Sequence, residues 1–146
     1  MFAKNKNYID ISKRKDKMYK EEIDWIIQCI MPYPPKSNPF HINYHTIGME
    51  EKYDNLDFQI VLPVDKNTAG LILNYLCHLV KRGYTITEDT IVKGLTDDNN
   101  EVYFVKRKEG NREVLRLVFP DNRGKYPDDP DCAFPFNKQL DNVFEK

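Results

Sequence analysis

The sequence predicts an α+β fold: a four-stranded antiparallel sheet built from two hairpins, packed by two main helices and finished by an irregular C-terminal tail. Three observations predict it. Apolar residues recur at helical spacing in two long stretches, two pairs of alternating segments are joined by polar links, and the end is rich in proline, glycine and aspartate. At 146 residues and 40% apolar, the chain suffices for one core, so residues 1–146 read as a single domain. Within it, residues 1–11 read as a flexible lead, 31–41 as a proline-rich link and 120–137 as the irregular tail.

A first helix is expected from Ser12 to Met31. Ser12 serves as N-cap, Tyr19, Ile23, Ile26, Ile27 and Ile30 recur at helical spacing, and Pro32 stops the run. The next stretch, Met31 to Phe40, holds Pro32, Pro34, Pro35 and Pro39, which remove amide donors and impose an extended loop. Its aromatics, Tyr33 and Phe40, sit on a stiff backbone and lose little entropy on binding. They read either as anchors for a partner or as plugs at the edge of the core. Strands follow at His41–Ile47 and Asp57–Leu62, joined by the polar link Gly48–Leu56, which carries Glu50, Glu51 and Asp54.

The second helix has the strongest signal. Asp65 to Thr68 supply caps, Ala69, Ile72, Leu73, Leu76, Leu79 and Val80 form one stripe, and Gly83 suits a left-handed C-terminus. Residues 84–95 read as a short helix opened by Thr87, with a strand as the alternative because β-branched residues are dense there. A hairpin of Glu101–Lys108 and Arg112–Phe119 turns at Gly110-Asn111. This turn opposes Phe104 to Leu117 and Lys108 to Glu113. It puts Val102, Phe104, Leu115, Leu117 and Phe119 on the core side, and Tyr103, Val105, Arg107, Val114, Arg116 and Val118 on the other. A last short helix is expected over Asn137–Phe144.

Charge narrows the function classes. With 22 basic and 23 acidic side chains the net charge is −1, so no global field draws the chain to nucleic acid or membrane. Locally, residues 1–20 hold seven Lys/Arg against two Asp/Glu, and residues 21–60 hold two against seven. Cys29, Cys77 and Cys132 are odd in number and widely spaced, which points to reduced thiols rather than a disulfide scaffold. No run approaches the roughly 18 apolar residues of a membrane span, and the N-terminus lacks a secretory pattern; a cytoplasmic protein is expected.

Catalytic and cofactor signatures are not written in the chain. His41 and His45 lie four apart, which in a strand separates them by about 13 Å, too far to share a metal. Ser12 and Ser37 have no G-x-S-x-G elbow around them, and no phosphate-binding glycine loop occurs. The expectation is therefore no catalytic residue, no metal and no cofactor. Asp128, Asp129 and Asp131 form an acidic knot around Pro130, read as a solvated turn or as a surface for a basic protein, flanked by Tyr126 and Phe134. Lys106, Arg107, Lys108, Arg112 and Arg116 gather on the hairpin. The order helix, short helix, hairpin over residues 65–119 is that of a winged-helix unit reading duplex DNA, although Glu88, Asp89, Asp97 and Asp98 put negative charge where phosphate would lie.

The closing stretch LVFPDNRGKYPDDPDCAFPFNKQ, within residues 113–140, resembles small accessory proteins of phages, plasmids and conjugative elements of low-GC Gram-positive bacteria. Some of those are anti-CRISPR or other anti-defence inhibitors. The resemblance implies a non-enzymatic inhibitor or accessory protein that occupies a surface of a host protein, with a nucleic-acid-binding defence nuclease among the candidate partners. It transfers no functional residue. The residues expected to meet that partner are Tyr33, Phe40, Glu50, Glu51, Asp54, Tyr126, Asp128, Asp129, Asp131 and Phe134, aromatics as anchors and carboxylates as competitors for a basic groove.

Overall fold

A computed structural model of the chain describes residues 7–13, 21–30 and 42–144. Its elements in order are β1 (Asn7–Asp10), β2 (Ile26–Ile30), β3 (Asn43–Ile47), α1 (Met49–Tyr53), β4 (Phe58–Ile60), α2 (Lys66–Lys81), β5 (Thr90–Lys93), β6 (Glu101–Glu109) and β7 (Arg112–Val118). One 3-10 turn, Phe136–Lys138, follows. The strands form one seven-stranded sheet in the order β1-β5-β6-β7-β4-β3-β2. Pairing is mixed: β1 with β5 and β4 with β7 are parallel, the others antiparallel.

The four-stranded antiparallel sheet with two main helices is thus corrected to a seven-stranded mixed sheet with, among the described residues, one long α-helix and one short one. Three segments account for the difference. Ile26–Ile30, expected inside the first helix, is strand β2: the β-branched run Ile-Ile-Gln-Cys-Ile is stiff in a helix, and β3 offers it a complete ladder. Of that expected helix, residues 14–20 lie outside the described residues, as does the proline-rich link. Residues 7–10, expected to be flexible, add β1 through a pairing of Asn7 with Thr90 that no local pattern encodes. Residues 84–95 take the strand alternative. Thr87 does make a turn, accepting from Asp89 N and Thr90 N, but the chain leaves it as β5 and not as helix.

Other expectations stand with trimmed ends. Helix α2 begins at the Asp65 cap, whose carboxylate accepts from Thr68 N at 2.9 Å, and Gly83 takes φ +108 past its end. The hairpin register has Phe104 opposite Leu117 and Lys108 opposite Glu113. The expected Gly48–Leu56 link contains α1, and the expected terminal helix is only the 3-10 turn.

Alternation along the strands creates two different faces. The first carries Ile9, Val92, Val102, Phe104, Leu115, Leu117, Phe58, Ile60 and Tyr44, and packs with Ala69, Leu73, Leu76, Cys77 and Leu79 of α2 into one buried cluster. Burying each large side chain is worth about 1.5–3 kcal/mol before entropy. Trp25 pins the lead into β2 on this layer, its Nε1 donating to Asn74 Oδ1 at 2.8 Å. The second face carries Tyr103, Val105, Arg107, Val114, Arg116, Gln59, Asn43 and His45. The segment after β7 folds back over its centre, so the molecule has three layers.

Candidate functional site

The covering segment is an ordered loop despite its poor propensity for regular structure. Buried Asp121 organises its first half: the carboxylate accepts from Arg123 N and Lys125 N, both at 2.9 Å, and from Ala133 N at 2.8 Å. Those backbone donors, those of Lys125 and Ala133 foremost, hold its pKa below the usual aspartate value. Buried Gln139 fixes the second half, donating to Phe119 O at 2.7 Å and accepting from Phe119 N at 2.8 Å. Tyr126 donates to Glu101 O at 2.6 Å and sets its ring 5.4 Å from that of Tyr103. The loop therefore spends Tyr126 on its own attachment and presents Phe134, 60% exposed, beside exposed Asp128 and Asp131. Asp129 is partly used: it meets Lys125 Nζ at 3.5 Å and accepts from Asp131 N at 2.8 Å.

The second acidic group lies elsewhere. Glu50, Glu51 and Asp54 are exposed on and just after α1, which sits at the hairpin-tip end of the sheet, where Asp57 O accepts from Leu115 N. The loop with Phe134 springs from the opposite end of β7. The predicted partner-binding residues therefore divide between two ends of the molecule, and Tyr33 and Phe40 lie outside the described residues.

The basic residues of the hairpin do not form one patch. Lys106 Nζ is 3.3 Å from Glu88 Oε1, and Arg107 donates to Lys106 O and Leu140 O. Arg112 donates to Glu109 Oε1 and Thr46 O. Arg116 is fully buried, donating to Gln59 Oε1 at 2.7 Å and to the carbonyls of Gln139, Asp141 and Val143. Lys108 is exposed. The segment that would be the recognition helix of a winged-helix unit is strand β5.

Arg116 belongs to a polar network on the second face that the sequence reading missed. Gln59 passes the contact on to Glu109 Oε2 at 2.9 Å, and Asn43 donates to the same oxygen at 2.7 Å. His45 Nδ1 lies 3.2 Å from Asn43 Oδ1 and 3.4 Å from Glu109 Oε2, while Nε2 is 3.0 Å from the Gln28 side-chain amide. Burial lowers the His45 pKa and outweighs the attraction of Glu109, so the ring is neutral at pH 7. A neutral ring carries one proton, held either on Nδ1 toward the Asn43 and Glu109 oxygens or on Nε2 toward Gln28 Oε1. Burial works to raise the Glu109 pKa, yet the hydrogen bonds from Asn43 and Arg112 bring it below the ordinary value. These groups include an acid, a base and two guanidiniums, and they are committed to one another within the layer. The signal that announces them is polar residues at same-face positions: Asn43 and His45 are two apart in β3, and Gln59 and Arg116 each interrupt an apolar run, Phe58–Ile60 and Val114–Val118.

His78 lies on the helix side, its ring edge-on to Trp25 at 4.8 Å, away from His45 on the second face. No group of three or more His, Cys, Asp or Glu among the described residues is arranged to hold a metal. Among the described residues, an apolar recess between Leu62, Ile72, Phe119 and Phe136 has a volume of about 160 Å³, and a more polar one bordered by Asn55, Thr85, Glu88, Asp89 and Lys106 has about 340 Å³. The first is below the roughly 300 Å³ at which small-molecule sites begin, and the second is just above it. No helix among the described residues is long and apolar enough to cross a membrane. Comparison with protein-family models, with curated proteins and with solved structures finds no match to this chain.

Proposed function

We propose that this chain is a non-enzymatic binding protein that occupies a surface of a partner protein through its C-terminal loop. The observation that carries the reading is Phe134, a large apolar side chain 60% exposed on a loop held by the buried Asp121 and Gln139. Exposing an aromatic ring costs solvation, and a rigid support lowers the entropy lost when that ring enters a pocket. Asp128 and Asp131 beside it favour a basic partner surface, of the kind that otherwise holds nucleic acid. The resemblance of residues 113–140 to small accessory proteins of mobile elements, some of which are anti-defence inhibitors, supports the same reading and suggests a host nuclease as the class of partner.

The test compares host lysate proteins retained by the intact chain with those retained by Phe134→Ala and by Asp128→Lys/Asp131→Lys. A specific partner should be lost from both variants while their melting temperatures stay unchanged. A partner retained equally by all three proteins would sink the proposal.

A further inference from the structure

The sheet ends at β2, so one row of that strand's backbone N–H and C=O groups has no strand partner among the described residues. Edge strands ordinarily discourage such pairing with lysine, proline, inward charges or a bulge. The sequence of β2, Ile-Ile-Gln-Cys-Ile, has none of these, and its pairing with β3 runs unbroken from Ile26 to Ile30. The opposite edge, β1, carries Asp10. Apolar side chains are also left open at the β2 edge. Ile26 is 57% exposed and Ile30 46%, and Ile47, paired with Ile26 on the same face, is 37% exposed.

The order of residues in β2 points to the partner. An antiparallel contact between identical strands about a twofold axis places each residue against its image across the centre. Centred on Gln28, that register sets Ile26 against Ile30 of the other copy, Ile27 against Cys29, and Gln28 against itself. Every opposed pair is matched, apolar with apolar and amide with amide. Charge permits the same occupant, because an isologous contact brings like charges together near its axis and β2 carries none.

We propose that β2 pairs antiparallel with β2 of a second copy, centred on Gln28, to join two seven-stranded sheets into one. The contact is distinct from the loop bearing Phe134, which leaves each copy of that loop free in the dimer. Two five-residue strands bury less than the roughly 1,600 Å² of a standard interface, so dissociation in the micromolar range is expected.

Sedimentation velocity over a concentration series tests it, with three proteins. The wild-type chain should pass from monomer to dimer. Ile26→Lys/Ile30→Lys places lysine against lysine and should remain monomeric at every concentration. Ile26→Lys/Ile30→Glu places each lysine against a glutamate of the other copy and should recover the dimer. Both positions are exposed, so equal melting temperatures are expected and verify the fold. A wild-type chain monomeric into the millimolar range, a dimer that survives the double lysine, or a lysine–glutamate variant that stays monomeric would each overturn the proposal.

Discussion

Arg116 shows how a buried charge is held when its surroundings are mostly neutral dipoles. Its guanidinium is fully buried, and it meets the Gln59 amide and the carbonyls of Gln139, Asp141 and Val143. Arg116→Met keeps much of the volume but strands those acceptors away from water. It should lower stability by about 3 kcal/mol in urea unfolding; a loss under about 1 kcal/mol would show that water replaces the guanidinium. Gly94 is decided by geometry rather than by charge. It has φ +99, and a Cβ there would stand 2.5 Å from Ser12 N and 2.6 Å from Ser12 Cα. Gly94→Ala should therefore cost at least about 2 kcal/mol, whereas Gly110→Ala, at φ +61 in open space, should cost about 1 kcal/mol. Equal losses in the two variants would refute the steric account.

Among the elements, the C-terminal segment has the least regular structure and the most specific attachment. Gln139 bonds to Phe119 through both ends of its amide, and its own carbonyl accepts from Arg116. Gln139→Ala should cost about 2 kcal/mol and raise amide exchange across residues 120–140 more than in α2. Uniform acceleration throughout the sheet would instead mean that the segment opens only with global unfolding. The strands were unequally legible. The β6–β7 register follows from a two-residue turn, so local chemistry suffices to place Phe104 against Leu117. By contrast β2 presented Ile26, Ile27 and Ile30, a spacing that a helix and a strand satisfy alike over so short a run. The ladder with β3 decided between them.

For the molecule as a whole, acid weakens the fold through several groups with one sign. His45 and His78 have folded values below 6.5, in each case chiefly because burial disfavours the charged ring. Below pH about 6.5 the unfolded chain therefore binds protons that the folded chain refuses, and stability falls. Glu109, Asp121 and Asp10 also titrate below their ordinary values when folded, which extends the loss as pH drops past the carboxylate range. The urea midpoint should hold steady between pH about 7 and 8 and decline in two stages between about 6.5 and 3. A midpoint that rises on acidification would contradict this assignment. At the other extreme, burial pushes Tyr103 up to about 12, so stability should fall again as pH rises above 10.

By itself, the sequence determined what nearest neighbours along the chain can decide. It marked α2 by its Asp65 cap and apolar stripe, the second hairpin and its register, and an aromatic acidic loop around Asp128–Phe134. Tertiary structure alone decided the ladders of β1 with β5, β5 with β6, β2 with β3 and β4 with β7, which turn four antiparallel strands into a mixed sheet of seven. It also decided that Arg116 and Arg112 are spent inside the molecule, that Tyr126 supports its loop while Phe134 faces solvent, and that Glu50 and Asp128 lie at opposite ends. The reason is that periodicity reports which face of an element is buried. It carries no information on which distant element does the burying, and a polar side chain is distinguished as ligand or as scaffold only by the partners that arrive from elsewhere in the chain.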